Sequence, residues 1–351
     1  MTGTPDWITH AEMLAIEARE ISDPARLCRE PVVSVLMMTY NHAPYLEQAV
    51  ESVLAQQCPF EFEILIGEDH STDGTRALCE ELQARYPAYI RLIVAEQNVG
   101  ITANFLRLLA RARGTYAAML EGDDYWTAPD KLQRQVELME RHPDYAWCAG
   151  RTANRMFWAD KKPSYALEDI LRRYIFHTSA VLFRRALLER YPRFPEVVCL
   201  DNLLFGYLSS LGPCGFIDEE LSYYRRHAGG VWTGAAVARR LEMTWACIDA
   251  LDAYFAGEYR RELVDRELWS YRLDTDVSLQ PGFWQRWRAS LAMLLHAFPR
   301  MSRRAPLGFA RLATEILAQP PVAASLLLRR KLALGSRLAW LARRKPAGRK
   351  S

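Results

Sequence analysis

Short apolar runs alternate with amphipathic segments over residues 31–125, and this order leaves few folds open. The runs have strand length and many β-branched residues: VVSVLMMTY (32–40), FEILIGED (62–69), IRLIVAE (90–96) and TYAAMLEG (115–122). The segments between them have apolar residues every three or four positions: PYLEQAVESVLAQQ (44–57), TDGTRALCEELQARYP (72–87) and GITANFLRLLARARG (100–114). The alternation predicts an α/β fold with a mostly parallel central sheet and helices on both faces.

Three of the predicted strands end in polar sequences, TYN, GED and EGDD. Ligands of parallel sheets sit beyond the carboxyl ends of the strands, so we expect one edge to carry the chemistry. EGDD places Glu121, Asp123 and Asp124 within four positions, and carboxylates this close repel one another unless water, a cation or donors offset their charge. A solvated turn before the next helix explains them equally well, but their place at a strand end favours Mg²⁺ or Mn²⁺ bridging to a diphosphate.

Composition excludes several classes of protein. Hydrophobic residues make up 50% and charged residues 25% of the 351 residues, as in ordinary globular proteins. The seven cysteines are scattered without a C-x-x-C pair or a His/Cys cluster, which argues against a disulfide scaffold and a zinc site. We see no basic-then-apolar leader and no apolar stretch of membrane-spanning length, so we expect a cytoplasmic protein.

Charge is distributed unevenly along the chain. Residues 301–351 hold twelve Lys/Arg and one acid, whereas residues 1–300 hold 33 basic and 41 acidic side chains. A basic amphipathic segment of this kind suits an anionic membrane, which would place the protein peripherally on the inner face of the cell membrane. A solvated tail or nonspecific nucleic-acid binding stays open, although no recognisable nucleic-acid module appears and we expect no specific nucleic-acid partner.

Four blocks, in order over residues 31–145, resemble the nucleotide-binding half of the family 2 glycosyltransferases, which are inverting enzymes of the GT-A fold. The blocks are PVVSVLMMTYNHAPYLEQAVESVLAQQ, FEILIGEDHSTDGT, NVGITANFLRLLARARGTYAAMLEGDDYW and DKLQRQVELMERHPD. The expected organisation is an N-terminal helical segment (1–30), a GT-A domain (31–232), a helical extension (233–300) and a basic tail (301–351). Within the GT-A domain, a Rossmann-like nucleotide-sugar half (31–145) precedes an acceptor half (146–232).

The resemblance implies roles in the first half. Residues expected beside the nucleotide sugar are Tyr40, Asn41, Asp69, Asn98, Gly100, Asn104 and Asp123. Asp69 matches the carboxylate that accepts a hydrogen bond from the base, and Asp124 matches the direct metal ligand. Glu68 and His70 depart from the residues usual in this family. Asn41 also suits a cap of the helix that begins near Pro44.

The resemblance extends more weakly into residues 146–232. FHTSAVLFRR (176–185) is expected to form a strand running into a helix, with His177 and Thr178 in the sugar pocket. The alternative is that His177 is a structural residue at a strand edge, with its hydrogen bonds satisfied by the protein. Asp201, just ahead of an apolar helix, matches the family's general base, and helix capping is the alternative. In YYRRHAGGVW, Arg225 and Arg226 are expected on the diphosphate and His227 on the metal, unless this is a plain surface loop.

The implied function is inverting transfer of a sugar from a nucleoside-diphospho-sugar, expected to be a UDP-sugar, to a hydroxyl of a glycan or lipid-linked acceptor. The pathway expected is cell-surface polysaccharide synthesis, with Mg²⁺ or Mn²⁺ as cofactor. A non-catalytic nucleotide-sugar-binding scaffold of the same fold is the alternative. It predicts missing acids, yet Asp69, Asp123, Asp124 and Asp201 are all present.

Overall fold

The computed structural model describes residues 7–155, 160–194, 200–276, 294–295, 297–301 and 303–317. The chain forms two compact units, the first ending at Arg266 and the second beginning at Glu267. The first unit contains the whole predicted catalytic domain (31–232) and also residues 233–266 of the predicted helical extension. The reason is apolar packing, because Cys247 and Leu251 lie in one buried cluster with Leu171 and Leu203.

The elements are numbered here in chain order within the described residues. The strands are β1 (Trp7–Thr9), β2 (Arg19–Ile21), β3 (Val33–Thr39), β4 (Phe62–Glu68), β5 (Ile90–Val94), β6 (Tyr116–Met119), β7 (Tyr125–Trp126), β8 (Trp147–Ala153), β9 (Ser164–Tyr165), β10 (Val181–Arg184), β11 (Arg190–Pro192) and β12 (Cys214–Tyr223). The α-helices are α1 (His10–Ala15), α2 (Leu46–Leu54), α3 (Thr75–Arg85), α4 (Ile101–Arg111), α5 (Lys131–Arg141), α6 (Leu167–Arg172), α7 (Leu200–Leu211), α8 (Val237–Tyr254), α9 (Arg260–Asp276) and α10 (Pro306–Leu317). Short 3-10 helices occupy Thr178–Ala180 and Arg185–Leu188.

The first half of the large sheet has the predicted form. Strands β5, β4, β3 and β6 lie side by side and parallel, and every residue of β3 and β4 is buried. Neighbouring residues enter opposite cores: Leu36 packs with Phe105 of α4 on one face, and Val35 packs with Val50 of α2 on the other. The predicted alternation of strands and helices is therefore confirmed.

The second half of the sheet is mixed rather than mostly parallel. Beyond β6 the order is β10, β8, β12 and β7; β10 is antiparallel to both of its neighbours, and β12 is parallel to β8 but antiparallel to β7. The short strand β7 begins immediately after the EGDD sequence and pairs with Ser222 and Tyr223. This pairing carries the acidic turn to the segment that holds Arg225 and His227.

Residues 1–30 are not simply helical. In their described part only α1 is a helix, and β1 and β2 join other strands, β1 pairing with β11 and β2 with β5. At the other end, α8 and α9 lie in the predicted helical extension. Residues 318–351, which contain most of the predicted basic tail, lie outside the described residues. Among the helices that are described, none is both long and apolar enough to cross a bilayer.

Candidate active site

The candidate site lies where β3, β4 and β6 end. The loops that follow these neighbouring strands are joined by backbone hydrogen bonds: the Asp69 amide donates to the Thr39 carbonyl at 3.1 Å, and the Gly122 amide donates to the Met38 carbonyl at 3.0 Å. The polar sequences TYN, GED and EGDD therefore meet at one edge, as expected for parallel strands.

Asp69 is held by the loop that precedes α4. Its two carboxylate oxygens accept from the amides of Val99 and Gly100 at 3.0 and 2.9 Å, and Arg107 Nη2 lies 3.6 Å from Oδ1. These partners come from a segment about 30 residues further along the chain, and only 3% of Asp69 is exposed. Asn98 is exposed, and its side-chain oxygen also accepts from the Gly100 amide, at 3.1 Å.

Asn104 is buried between α4 and β4. Its Nδ2 donates to the Gly67 carbonyl at 2.9 Å, and its Oδ1 accepts from Arg107 Nε at 3.0 Å. A Cβ on Gly67 would lie 2.1 Å from that oxygen, so the contact requires glycine. These bonds hold Asn104 between the helix and the strand, and its predicted place beside the nucleotide sugar stays a prediction.

Asn41 joins the loops after β3 and β4. Its Oδ1 accepts from the Thr72 amide at 2.9 Å, and its own amide donates to Ser71 Oγ at 3.0 Å. It does not cap α2, which begins five residues later with Tyr45 at the N-cap and no side-chain cap bond. Tyr40 is 45% exposed at the same edge and is available to a ligand. His70, the unusual residue in the second loop, is exposed with a positive φ of 61°.

Glu121, Asp124 and His177 form the strongest candidate metal site in the described residues. Each offers one ligand atom, and the three atoms lie within 4.8 Å of one another. Glu121 Oε2 and Asp124 Oδ2 are buried without a hydrogen-bond partner. Two orphaned carboxylate oxygens beside an imidazole nitrogen are a donor set that suits Mg²⁺ or Mn²⁺.

The electrostatics of this cluster agree with that fit. Burial, together with the charges of Asp123 and Asp201 and against a hydrogen bond from Thr178, raises the pKa of Glu121 to about 7. Burial and the neighbouring carboxylates raise the pKa of Asp124 well above its ordinary value. Burial also holds the pKa of His177 well below its ordinary range, so its imidazole is neutral and can act as a ligand. A divalent cation would remove the repulsion among these acids.

His177 and His227 contact different carboxylates of the EGDD turn. His177, predicted in the sugar pocket, has Nδ1 3.5 Å from Asp124 Oδ2. His227, predicted as a metal ligand, lies against Asp123, with Nε2 2.9 Å from Oδ2. His42 approaches the same Asp123 oxygen at 3.6 Å, and burial lowers its pKa. Asp123 is thus flanked by two histidines, outside the metal cluster.

Arg225 closes over the acidic turn. Its backbone amide donates to Asp124 Oδ1 at 2.9 Å, its Nε donates to the Asp123 carbonyl at 2.8 Å, and its Nη2 donates to Gln48 at 2.6 Å. Arg226 points elsewhere: it is exposed and donates to the Asn154 carbonyl at 3.2 Å. Of the two predicted diphosphate arginines, only Arg225 contacts the acidic turn.

Asp201 lies in the first turn of α7 rather than ahead of it, since the helix begins at Leu200. The Tyr174 hydroxyl donates to its Oδ2, and Asn202 donates to Oδ1 from its amide at 2.8 Å and from Nδ2 at 3.0 Å. The charge of Asp201 is one of the smaller causes that raise the pKa of Glu121, after burial and the charge of Asp123.

Sequence reasoning missed four residues of this region. Glu121 was visible in EGDD but received no ligand role, and His42 directly follows the Tyr40–Asn41 pair that was assigned to the nucleotide. Arg155 and Tyr174 carried no signal, because they stand in no motif and reach the site only through the fold. The guanidinium carbon of Arg155 lies 4.1 Å from the Tyr174 ring centroid, and Nη1 is buried without a partner among the described residues.

Comparison with known proteins identifies the class. The family model described as glycosyl transferase family 2 matches residues 34–195. An uncharacterized glycosyltransferase of Nostoc sp. is 32% identical over 222 residues, 59% of this chain and 68% of that protein. An uncharacterized protein of Mycobacterium tuberculosis is 31% identical over 290 residues, 77% of this chain and 81% of its own. The chain belongs to the family 2 glycosyltransferases, as the sequence blocks predicted.

Solved structures confirm the GT-A fold. Staphylococcus aureus TarS in complex with UDP-GlcNAc has a TM-score of 0.55 at 19% identity, covering 78% of this chain and 83% of TarS 1–349. A Pyrobaculum calidifontis mannosyltransferase in complex with GDP-Man and Mn²⁺ has a TM-score of 0.51 at 17% identity, covering 88% and 92%. A Bacillus subtilis glycosyltransferase named for teichuronic acid biosynthesis is 39% identical over 110 residues, 31% of this chain and 42% of its own. The chain is thus a glycosyltransferase enzyme by its family, and it has the GT-A fold.

Proposed function

We propose that this enzyme transfers a sugar from a UDP-sugar to a hydroxyl of a glycan or lipid-linked acceptor, with inversion, in the synthesis of a cell-surface polysaccharide. The observation that carries the proposal is the cluster of Glu121, Asp124 and His177 with its two orphaned carboxylate oxygens at the carboxyl edge of the sheet. The complexes of TarS with UDP-GlcNAc and of the mannosyltransferase with GDP-Man and Mn²⁺ support a nucleotide-sugar donor. The name of the Bacillus relative supports the polysaccharide pathway.

In this proposal the chain's own residues divide the work. Glu121, Asp124 and His177 would hold Mg²⁺ or Mn²⁺, which supplies Lewis-acid stabilisation of the charge that develops on the departing diphosphate. Asp201 accepts the proton of the acceptor hydroxyl while that oxygen forms its bond to the anomeric carbon. The bond from the anomeric carbon to the diphosphate breaks on the opposite face, and UDP leaves. An α-linked donor then gives a β-linked product.

The nucleoside is assigned to the loops after β3 and β4. Tyr40 is exposed there, and Asn98 and the Gly100 amide lie at the start of α4, beside Asp69. Both oxygens of Asp69 already accept backbone amides, so a base imide would add a further hydrogen bond to one of them. Arg225 is placed to donate to a diphosphate if its bond to Gln48 opens.

The first test is calorimetric titration of UDP into the protein with and without Mn²⁺. We expect metal-dependent binding in the wild type that Asp124→Ala abolishes, whereas Asp218→Ala, which removes an exposed carboxylate paired with Arg151 and Lys161, leaves binding unchanged. Binding that ignores both metal and the Asp124 variant would overturn the metal-assisted site. Binding without turnover of any UDP-sugar would favour the non-catalytic scaffold.

We also propose that the protein acts in the cytoplasm at the inner face of the cell membrane. The support is the charge of residues 301–351, with twelve Lys/Arg and one acid. Co-sedimentation with vesicles tests this. We expect binding to vesicles containing phosphatidylglycerol, no binding to pure phosphatidylcholine vesicles, and loss of binding when residues 318–351 are removed. Equal sedimentation of the truncated and full-length chains would contradict the proposal.

A further inference from the structure

Tyr174 lies directly beside the carboxylate proposed as the base. It follows α6 in the chain, and its hydroxyl donates to Asp201 Oδ2 in the first turn of α7. Its ring stacks on Phe205, with centroids 6.5 Å apart and an interplanar angle of 13°. Phe205 lies one turn after Asp201 on the same helix. The helix that carries the carboxylate therefore also fixes the ring that bonds to it.

The hydrogen bonds of Asp201 divide unequally between its two oxygens. Oδ1 accepts from the amide and the side chain of the next residue, Asn202. Among the described residues, only the Tyr174 hydroxyl is seen to donate to Oδ2. Both donors to Oδ1 belong to the adjacent residue, so they tie the carboxylate only to its own helix. Tyr174, which arrives from a different segment, is the contact that fixes the orientation of Oδ2.

The surroundings of Tyr174 keep its hydroxyl a donor. Burial raises the pKa of Tyr174 well above its ordinary value, and the charge and hydrogen bond of Asp201 raise it further against the opposing charge of Arg155. Arg155 lies 4.1 Å and Arg266 5.9 Å from the ring centroid, both at distances where a cation is attracted to a π face. The charge of Asp201 also raises the pKa of Glu121 and of Tyr191.

We propose that Tyr174 is a positioning residue for Asp201: its hydroxyl orients the carboxylate so that a free lone pair faces the acceptor hydroxyl. The inference rests on the proposed function, in which Asp201 takes the acceptor proton. During transfer that proton moves to Asp201, and Tyr174 keeps its own proton throughout. No bond to Tyr174 forms or breaks, so its contribution is orientation and stabilisation of the ionised carboxylate.

The test compares UDP release from UDP-sugars by the full-length chain, with water in place of the acceptor. The donor panel is UDP-glucose, UDP-galactose, UDP-GlcNAc and UDP-glucuronic acid. The variants are Tyr174→Phe, Asp201→Asn and the double variant. Tyr207→Phe is the matched control, since Tyr207 is also buried but its hydroxyl donates to the carbonyls of Leu187 and Arg190.

We expect Tyr174→Phe to lower kcat by about tenfold with donor KM unchanged, because an orienting bond is lost and donor contacts are not. The acidic limb of its pH–rate profile should move to higher pH by about one unit, since a donor to the ionised carboxylate is gone. Adding Tyr174→Phe to Asp201→Asn should change nothing further, and Tyr207→Phe should keep the wild-type profile. A merely structural tyrosine would lower activity without moving the limb.

Two results overturn the inference in distinguishable ways. If Asp201→Asn is inactive while Tyr174→Phe keeps the wild-type kcat and profile, the positioning role is wrong and the proposed function stands. If the wild type turns over no donor, or if Asp201→Asn keeps full activity, the role of Asp201 as the base is wrong. The positioning role of Tyr174, which depends on it, is then wrong as well.

Discussion

The site concentrates carboxylates where water reaches them poorly. Asp124 is 1% exposed, and its Oδ2 has no hydrogen-bond donor among the described residues. Such an oxygen costs the fold about 1–3 kcal/mol unless an ion or ligand satisfies it. Arg225 offsets part of this through its backbone amide, which donates to the other oxygen of Asp124. The remaining unsatisfied oxygens face the place assigned here to the metal.

Lys131 provides a pH-dependent prediction. It is fully buried, its Nζ donates to Gln135 at 2.7 Å and lies 4.0 Å from the Trp126 ring centroid, and burial lowers its pKa to about 7. The unfolded lysine titrates near 10.4. The penalty for burying the charge is therefore full below pH 7 and disappears as pH rises towards 10. In Lys131→Met, the free energy of unfolding relative to wild type should fall by about 3 kcal/mol between pH 7 and 10.

Urea denaturation at pH 7, 8, 9 and 10 measures that difference. Lys162→Met is the control, because Lys162 is half exposed and paired with Asp169, and its difference from wild type should stay constant over the same range. A difference for Lys131→Met that does not change with pH would show that the buried lysine stays charged.

Gly67 tests the structural role given to Asn104. A Cβ at residue 67 would lie 2.1 Å from Asn104 Oδ1 and 3.0 Å from Leu108, so in Gly67→Ala either the Asn104 side chain gives up its hydrogen bonds or α4 moves away from β4. We expect a loss of about 2–3 kcal/mol in the free energy of unfolding. Adding Asn104→Ala should recover part of that loss by making room. If Gly67→Ala is as stable as wild type, α4 and β4 are not packed as closely as described.

The sequence predicted the site's acids better than their partners. Asp123 and Asp124 follow a strand in the printed order, so their place at the sheet edge follows from the chain alone. The sequence alone does not show which histidine contacts which carboxylate. His177 reaches Asp124 through the 3-10 turn at Thr178–Ala180, and His227 reaches Asp123 through the end of β12. Neither arrangement has a periodic signal in the sequence.

At the scale of whole elements, the sheet is tied together at the edge opposite the site. Glu63 near the start of β4 is fully buried and accepts from Ser34 of β3 at 2.7 Å, from Arg91 of β5 at 3.2 Å and from Arg113 Nε at 2.8 Å. Asp69 lies six residue steps further along the chain, which is about 20 Å in a strand. The strands that position the site are thus linked by an ionic network well removed from the chemistry.

Glu63→Gln should therefore reduce stability without changing donor binding. Removing the charge leaves Arg91 partly buried beside a neutral amide, and we expect a loss of about 2–4 kcal/mol in the free energy of unfolding. The affinity for UDP should stay within twofold of wild type. Glu47→Gln, which removes an exposed ion pair with Arg85, should change stability by less than about 1 kcal/mol. Weaker UDP binding in Glu63→Gln would contradict the separation of network and site.

Elements with their own periodicity were predicted, and those that depend on distant pairing were not. Helices α2 to α4 and strands β3 to β6 each carry a complete pattern within a few residues of the chain. Strand β7 has two residues and exists only because β12, nearly a hundred residues later, pairs with it. Strands β1 and β2 likewise depend on β11 and β5. Short strands contain too few residues for alternation to be recognised.

At the scale of the whole molecule, metal binding should be coupled to folding. The unfolded chain has no preformed cluster, so a cation that binds Glu121, Asp124 and His177 stabilises the native state by mass action. At a hundredfold excess over Kd, Mn²⁺ should add about 3 kcal/mol to the free energy of unfolding. The melting temperature of the wild type should rise on adding Mn²⁺, that of Asp124→Asn should not, and Asp218→Asn should respond like wild type.

Competition between protons and the metal determines how the affinity for Mn²⁺ changes with pH. The cation needs ionised carboxylates, and burial raises the pKa of Glu121 to about 7, so protons compete with the metal just below neutral pH. The Kd for Mn²⁺ should increase about tenfold between pH 7.5 and 6, since the ionised fraction of a group with that pKa falls by about this factor. Calorimetric titration at both pH values measures this change in Kd. Glu121→Gln should bind Mn²⁺ more weakly at pH 7.5, and its Kd should depend much less on pH. A Kd that is equal at the two pH values, or a Glu121→Gln variant that binds like wild type, would remove Glu121 from the metal site.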